Sequence, residues 1–300
     1  MADKVVPLSD AISHLVEDGD TIALGGWVIT RCVSAVVHEL IRHRKRELTV
    51  CQGLSGFDTD LLVGAGAVRR LITGGGSLDA FGRLNRINDM FSSRKIEVEE
   101  NSALSMATRF LAGSLGLPFL PSRTLLGSTI LKDLEGDSHA AVEMNCPFTG
   151  EHLALLRALS PKTAIIHVQR ADKDGNAQIF GPLWDTGPIV GASERLLLTT
   201  EELVDRSEIT NAPERTTIPG FKVAAVSVIP YGAHPTSCYR WYDYDAEQLK
   251  AYAAASTSQD KFDRYLSDYV LSQDNFERYL GIVCPPSSRE RLRARPERGY

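Results

Sequence analysis

Three short strings carry the chemistry that the residue types allow: Gly25-Gly26-Trp27, Gln52-Gly53-Leu54-Ser55-Gly56 and Gly74-Gly75-Gly76-Ser77. Glycine keeps no side chain between its backbone and a ligand, so its N–H can approach an anion or the oxyanion of a reacting carbonyl. Any one string could be an ordinary tight turn, but three in phase suggest a shared ligand edge. None has the G-x-x-x-x-G-K-[ST] spacing, and Gly64-Ala65-Gly66 lacks the third glycine of a dinucleotide fingerprint, so no nucleotide cofactor is expected. A carboxylate stands in a comparable place. Glu99-Glu100-Asn101 lies where a strand passes into a helix, and Glu100 there could act as a general acid or base or could favour the positive end of the helix dipole.

The elements that must position these strings alternate. Strands are expected over residues 21–24, 48–52 and 68–73, each running straight into one of the glycine strings, with helices over 33–42 and 59–63 between them. Ser9-Asp10 can cap a helix at 11–16. A helical pattern over 81–91, a strand at 95–99 and a helix at 102–115 follow. Strands separated by helices pair in parallel through right-handed crossovers, which predicts an α/β fold, an open and mainly parallel sheet with helices on both faces. Such sheets bind ligands at the carboxyl ends of their strands, where all three glycine strings fall.

The stretch 163–181, TAIIHVQRADKDGNAQIFG, reads as a buried strand, a charged turn and a short second strand: a hairpin at the edge of the core. His167 is expected to be a hydrogen-bonded core histidine. Residues 118–121 and 127–145 look like an irregular crossover, and 148–159 like a helix. A helix at 184–194 and strands at 195–200 and 222–228 come next. The last strand ends in a rigid turn with His234 as a structural corner, then the aromatic group Tyr239, Trp241, Tyr242 and Tyr244, expected to pack at a subunit boundary. Polar helices close the chain as an outer brace or a subunit contact. One domain is expected over 1–285, with a basic, solvated tail over 286–300.

Three hundred residues can bury a substantial core, and 43% hydrophobic with 24% charged residues is an ordinary globular balance. A net charge of −5 argues against a nucleic-acid partner. The five cysteines are scattered, odd in number and without a C-x-x-C, so neither a disulfide framework nor a metal site is expected. No run approaches a membrane span and the first residues do not resemble a signal peptide. A cytoplasmic protein is expected.

Several strings, taken together, resemble one family. GGW at 25–27, LPFLPSR at 117–123, CPFTGEHLALLRALSPKTAIIHVQRADKDGNAQIFG at 146–181 and PYGAHPTSCYRWYDYD at 230–245 are similar, in order, to the α (A) subunit of family I CoA-transferases of the glutaconate CoA-transferase type. The likeness covers about residues 8–280. It implies the NagB/RpiA/CoA-transferase-like superfamily fold and a similar β subunit, in a heterodimer or heterotetramer. In that family a β-subunit glutamate attacks an acyl-CoA thioester, forms a mixed anhydride and then an enzyme–CoA thioester that hands CoA to an acceptor carboxylate. The Ser/Gly-Glu-Asn-Gly type motif of that glutamate does not occur here, which implies a chain inactive alone. The resemblance further implies coenzyme A as a substrate and no resident cofactor.

The positions matching the α-side loops are Gly25, Gly26 and Trp27, then Gln52, Gly53 and Ser55, then Gly75, Gly76 and Ser77. Gln52 and Ser55 offer side-chain donors and Gly53 an unhindered N–H for a carboxylate or thioester oxygen. Ser77 serves equally well as a cap for the segment starting at Leu78. Relatives of the family hydrolyse a ring-derived acyl-CoA in steroid breakdown and rely on an acidic residue of the α subunit. Glu100 lies in the matching region, but the turn after the GGW string holds the single arginine Arg31 where those hydrolases are more basic. A transferase is therefore placed first and the hydrolase second. A non-catalytic metabolite-binding protein is a third possibility, distinguished by acyl-CoA binding without turnover.

Overall fold

The apolar runs and the glycine strings that end them become, in a computed structural model describing residues 3–136 and 139–295, the strands and loops of one large sheet. In chain order the strands are β1 (Thr21–Leu24), β2 (Leu48–Gln52), β3 (Val68–Thr73), β4 (Glu97–Glu100), β5 (Phe119–Ser122), β6 (Ala141–Asn145) and β7 (His152–Arg157). They continue as β8 (Thr163–Ala171), β9 (Ala177–Gln178), β10 (Arg195–Leu203), β11 (Thr216–Ile218) and β12 (Val223–Val228). The main sheet is parallel in the order β12-β10-β8-β1-β2-β3-β4. β9 turns back antiparallel on the far end of β8, and β11 pairs antiparallel with β9.

Side chains alternate across each strand, so the two faces build separate cores. Ile22, Leu24, Val50, Leu71, Ile165 and Leu197 pack on one face. Ala23, Cys51, Ile72, Ala164, Ile166 and Leu198 pack on the other, against Met106 and Phe110 of helix Ala103–Ser114. This is the expected open α/β sheet covered on both faces. The chain leaves β1 through β2 and β3 to β4, then comes back on the other side of β1 with β8. β1 and β8 therefore flank the point where strand order reverses, which is where a crevice opens in such sheets.

Several expectations are corrected. The 163–181 hairpin forms, but β8 is interior, paired with both β1 and β10. The expected helix at 148–159 is instead β7, the middle strand of a satellite sheet β5-β7-β6. Leu and Ala favour helix, yet the buried residues there, Ala154 and Leu156, are two apart, and pairing on both sides overrides propensity. The irregular crossover accordingly holds β5, helix Thr129–Gly136 and β6, with Leu131, Leu134 and Leu156 in a small core of their own. The first helix is Leu8–Leu15, preceded by Pro7 rather than capped by Ser9 or Asp10.

The closing helices do more than brace. Asp245 caps Ala246–Ala255 by accepting from the Glu247 and Gln248 amides, and Tyr252, Phe262 and Tyr279 from this region are buried in the larger core. Part of the expected solvated tail is likewise ordered: Pro286–Leu292 is a helix, Leu292 is buried, and its carbonyl accepts from the Asp243 amide. Residues 296–300 lie outside the described residues. The described cysteines are all free, and among the described residues no helix is long and apolar enough to cross a membrane.

Candidate functional site

At the carboxyl ends of the parallel strands the glycine loops are stitched to one another through their backbones. The Gly25 amide donates to Ile165 O across β1 and β8 at 2.8 Å. The Gly74 amide donates to Gly53 O at 3.0 Å, the Ser55 amide to Gly75 O at 2.8 Å and the Ser77 amide to Ser55 O at 3.3 Å, so the second and third loops extend the β2–β3 pairing beyond the strands. This zipper explains Gly76, because a Cβ there would sit 2.3 Å from Ser55 O. Gly75 differs: at φ 101° it uses the left-handed freedom of glycine, and a Cβ there would meet nothing closer than 4.0 Å. Gly75 thus faces open space.

That space is a cleft of about 1120 Å³ whose walls include Ser55, Gly75, Gly76, Ser77, Glu100 and the half-exposed ring of Phe91. The structure therefore brings together the third loop, one residue of the second and the carboxylate at the end of β4. Gly25, Gly26, Trp27 and Gly53 do not line this cleft; they gather where β1 and β8 reverse the strand order. Gly53 is closed in there by Asp185, whose Oδ2 would lie 2.0 Å from a Cβ, and by the Trp27 ring at 3.1 Å. Its amide has no backbone acceptor among the described residues.

Two of the expected side-chain donors are already used. Gln52 is buried, and its Nε2 lies 3.3 and 3.4 Å from the Asp58 carboxylate oxygens and 3.4 Å from Gly25 O, while its Oε1 accepts from Thr59. It braces the loop from beneath. The Ser55 hydroxyl pairs with Thr73 Oγ1 at 2.9 Å, and Thr73 in turn donates to Gly75 O at 2.8 Å, so the Ser55 proton is directed to Thr73. Ser77 Oγ accepts from the Asp79 amide at 3.0 Å just ahead of the short helix Asp79–Phe81, whose N-cap is Leu78, and Ser77 also stands in the cleft wall.

The two adjacent glutamates divide sharply. Glu100 is exposed at the cleft and does not cap the next helix; Ser102 does, in a capping box with Ser105. Glu99 points inward, almost fully buried, where it pairs with Arg109 and Arg70. Burial would raise the Glu99 carboxyl, but Arg109 and then Arg70 outweigh it and hold it below the usual range.

Residues that the sequence pattern does not single out complete the reversal point. The Trp27 and Trp184 rings stack with centroids 5.6 Å apart and planes 6° from parallel, and the Arg31 guanidinium lies 5.8 Å from the Trp184 ring centre. Asp185 follows Trp184. Burial pushes Asp185 up to about 6, against the pull of its own backbone hydrogen bond and of Arg31. Arg31 is visible in the sequence only as a lone cation after the GGW string, and nothing in the local pattern around Asp185 signals its place, since it is brought in by the β8–β9 hairpin.

Two buried groups could in principle gather metal ligands: His167, Glu201 and Cys238, and His234, Asp245 and Cys284. Their histidine and carboxylate atoms are already hydrogen-bonded. Glu201 accepts from Tyr242 OH and the Tyr231 amide at 2.6 Å each and pairs with His167 Nε2 at 2.6 Å, while His234 bridges Asp245 and Tyr279 at 3.2 Å each. His167 is the hydrogen-bonded core histidine expected. The aromatic residues after His234 pack within the chain, Tyr242 on Tyr231 and Trp241 on Phe180.

Comparison with known proteins adds a consistent set of likenesses. A model of the family described as Coenzyme A transferase matches residues 5–228. The α (A) chain of glutaconate CoA-transferase of Acidaminococcus fermentans is 34% identical over 284 residues, 89% of this chain and 88% of that protein. The cholesterol ring-cleaving hydrolase IpdA subunit of Mycobacterium tuberculosis is 30% identical over 284 residues, 90% and 94% of the two chains. The crystal structure of glutaconate coenzyme A-transferase from Acidaminococcus fermentans superposes with a TM-score of 0.94 at 32% identity, covering 98% of this chain and 96% of that one. The chain spans 65% of the length of an uncharacterized Archaeoglobus fulgidus protein to which it is 34% identical.

Proposed function

This chain belongs to the coenzyme A transferase family, and on that premise we propose that it is the α subunit of a CoA-transferase that moves CoA between an acyl-CoA and a carboxylic acid. A homologous β subunit would supply the nucleophilic glutamate and carry the glutamyl–CoA thioester. This chain would form the opposing wall of the site, in a cytoplasmic heterodimer or heterotetramer with coenzyme A as substrate and no resident cofactor.

One observation supports the division of labour best: the zipped Ser55–Gly76 backbone opens on a cleft whose buried carboxylate, Glu99, is locked by two arginines. A carboxylate so held is a poor nucleophile, because attack on a thioester would require it to leave both cations. The chain is suited to present backbone donors and shape to a group that attacks from across the cleft. The open Gly75 edge, which lines the cleft, is the backbone donor we assign to a developing oxyanion, with Gly53 supporting it through the Gly74 amide that Gly53 O accepts.

The second reading, an acyl-CoA hydrolase, draws on Glu100, which lines the cleft beside Ser77 and Gly75, and on the likeness to the cholesterol ring-cleaving hydrolase. One experiment separates the two. The complex with its β subunit is given an acyl-CoA without acceptor, reduced with borohydride, and the modified peptide is mapped by mass spectrometry. A labelled β-subunit glutamate supports the transferase; free CoA with no adduct supports the hydrolase. Glu100→Gln gives the same answer kinetically. It is expected to keep kcat/KM within about threefold in the transferase, whereas loss of a general base would cost about 100-fold or more.

A further inference from the structure

We propose that a pocket at the amino ends of β2 and β3 binds the phosphate groups of a polyphosphate, free or esterified, at a site that does not depend on the transferase reading. The pocket, of about 570 Å³, is walled by Arg42, Arg44, Lys45 and Arg46, with Asp274 as its only carboxylate among the described residues. The run Arg44-Lys45-Arg46 leads into β2 at Leu48, and Ala67, in the same wall, directly precedes β3 at Val68. The pocket therefore stands at the opposite end of these strands from the second and third glycine loops. Four cations against one acid, in a chain of net charge −5, make a local excess that attracts anions.

A cation near the end of a helix often serves the helix itself. Here the backbone already meets that need. Helix Ser34–Arg42 closes with the Arg44 amide on Ile41 O at 2.9 Å and the Lys45 amide on Leu40 O at 3.1 Å. Helix Phe57–Gly64 closes the same way, with the Gly66 amide on Val63 O at 3.0 Å and the Ala67 amide on Leu62 O at 3.3 Å. The left-handed position of the turn is Gly66 at φ 77° in one and Arg44 at φ 54° in the other. Arginine there carries a steric cost that glycine avoids, and its exposed side chain has no hydrogen bond or ion pair among the described residues to offset it. A side chain kept against the backbone's preference, and left without an internal partner, points to a group from outside the chain.

The free donors select the ligand. Lys45 Nζ donates to Val16 O, just past the first helix, and keeps further N–H groups. Arg42 donates from Nε and Nη2 to Glu39, while its Nη1 is buried with no partner among the described residues. Buried polar atoms are nearly always paired, and a ligand oxygen would satisfy this one after a small turn of the guanidinium. The Arg46 side chain, like that of Arg44, is exposed and unpaired among the described residues. Guanidinium forks match phosphate oxygens in pairs. A carboxylate has too few oxygens to engage all these donors, so a polyphosphate is favoured. The other wall, with Ile41, Leu266 and the exposed Leu271, is apolar and suits the organic part of an ester.

The test titrates the complex with its β subunit with pyrophosphate and with ATP, by calorimetry, in buffer free of phosphate and sulfate. Saturable binding is expected, weaker at about 200 mM than at about 50 mM salt. Tighter binding of ATP would identify an ester as the occupant, and tighter binding of pyrophosphate the free polyphosphate. Arg44→Gly should weaken binding about tenfold or more. The same change relieves the left-handed turn, so without ligand its Tm should rise by about 2 °C. Weaker binding by a more stable protein is a result that general damage to the fold does not produce. Asp274→Asn should act the other way, tightening binding about threefold. Together with Arg46→Gln, which should weaken it, that variant decides the matter if Arg44→Gly does not assemble. No saturable binding up to about 1 mM of either ligand, or binding that Arg44→Gly and Arg46→Gln leave unchanged, would overturn the site. A complex that binds pyrophosphate this way but transfers no CoA keeps the site and loses the transferase reading.

Discussion

Arg109→Met is expected to destabilise the chain by about 3–5 kcal/mol, the cost of leaving one member of a buried ion pair without its partner. Arg109 is fully buried; it pairs with Glu99, donates to Asn101 Oδ1 at 3.1 Å and to Arg157 O at 2.9 Å. One side chain thus ties the end of β4, the start of the following helix and the satellite strand β7 together. Methionine fills similar volume but leaves Glu99 with only Arg70, whose side chain is partly solvated. The pH dependence has a definite sign. Glu99 sits below its usual range in the folded chain, so its contribution is present above the unfolded carboxyl value of about 4.3 and is lost as pH falls through the lower folded value. In Arg109→Met the carboxylate is buried with less compensation, so that acid-side loss should shrink or reverse. Urea denaturation at about pH 7 and about pH 4 reads both effects. A loss under about 1 kcal/mol at neutral pH would mean that the network contributes little.

What is legible in the sequence follows a physical boundary. Local pattern reveals a strand when its burial is continuous and its end is marked, which is why β1, β2 and β3 and their glycine loops fall within a residue or so of expectation. β7 escapes because its residues are good helix formers and its strand character comes from partners in sequence positions far away. The interior position of β8 is hidden for the same reason: a hairpin with β9 is local, but pairing with β1 and β10 is not. At the candidate site, glycine content points to loops that the structure does place at the carboxyl ends of the strands, yet side-chain direction cannot be seen. Gln52 and Ser55 look like ligand donors as letters and prove to be braces, and Glu100 and Glu99, one residue apart, face opposite ways because successive strand residues do. Asp185 is out of reach altogether, since its contact with Gly53 exists only once the hairpin and the sheet reversal are formed.

Gly53→Val is expected to lower kcat/KM of the assembled enzyme by about 100-fold, the scale associated with a misplacement near 1 Å at a reacting centre. The new Cβ would stand 2.0 Å from Asp185 Oδ2, 3.0 Å from its Cγ and 3.1 Å from the Trp27 ring. Asp185 opens helix Thr186–Ala192, and Trp27 is stacked on Trp184 and bridged through its backbone to Thr30. What the side chains do not absorb moves the loop, and because Gly53 O receives the Gly74 amide, any shift is passed to the third loop and the cleft. Unchanged kcat/KM with a normally folded variant would show that neither the Gly53 amide nor this zipper bears on turnover. A double-mutant cycle identifies the cause: adding Asp185→Ala to Gly53→Val removes the closest clash, so part of the loss should return if the obstruction is Asp185. Strict additivity would place the damage in the backbone of residue 53 itself, where a β-branched side chain stiffens a segment that glycine leaves free to follow the substrate.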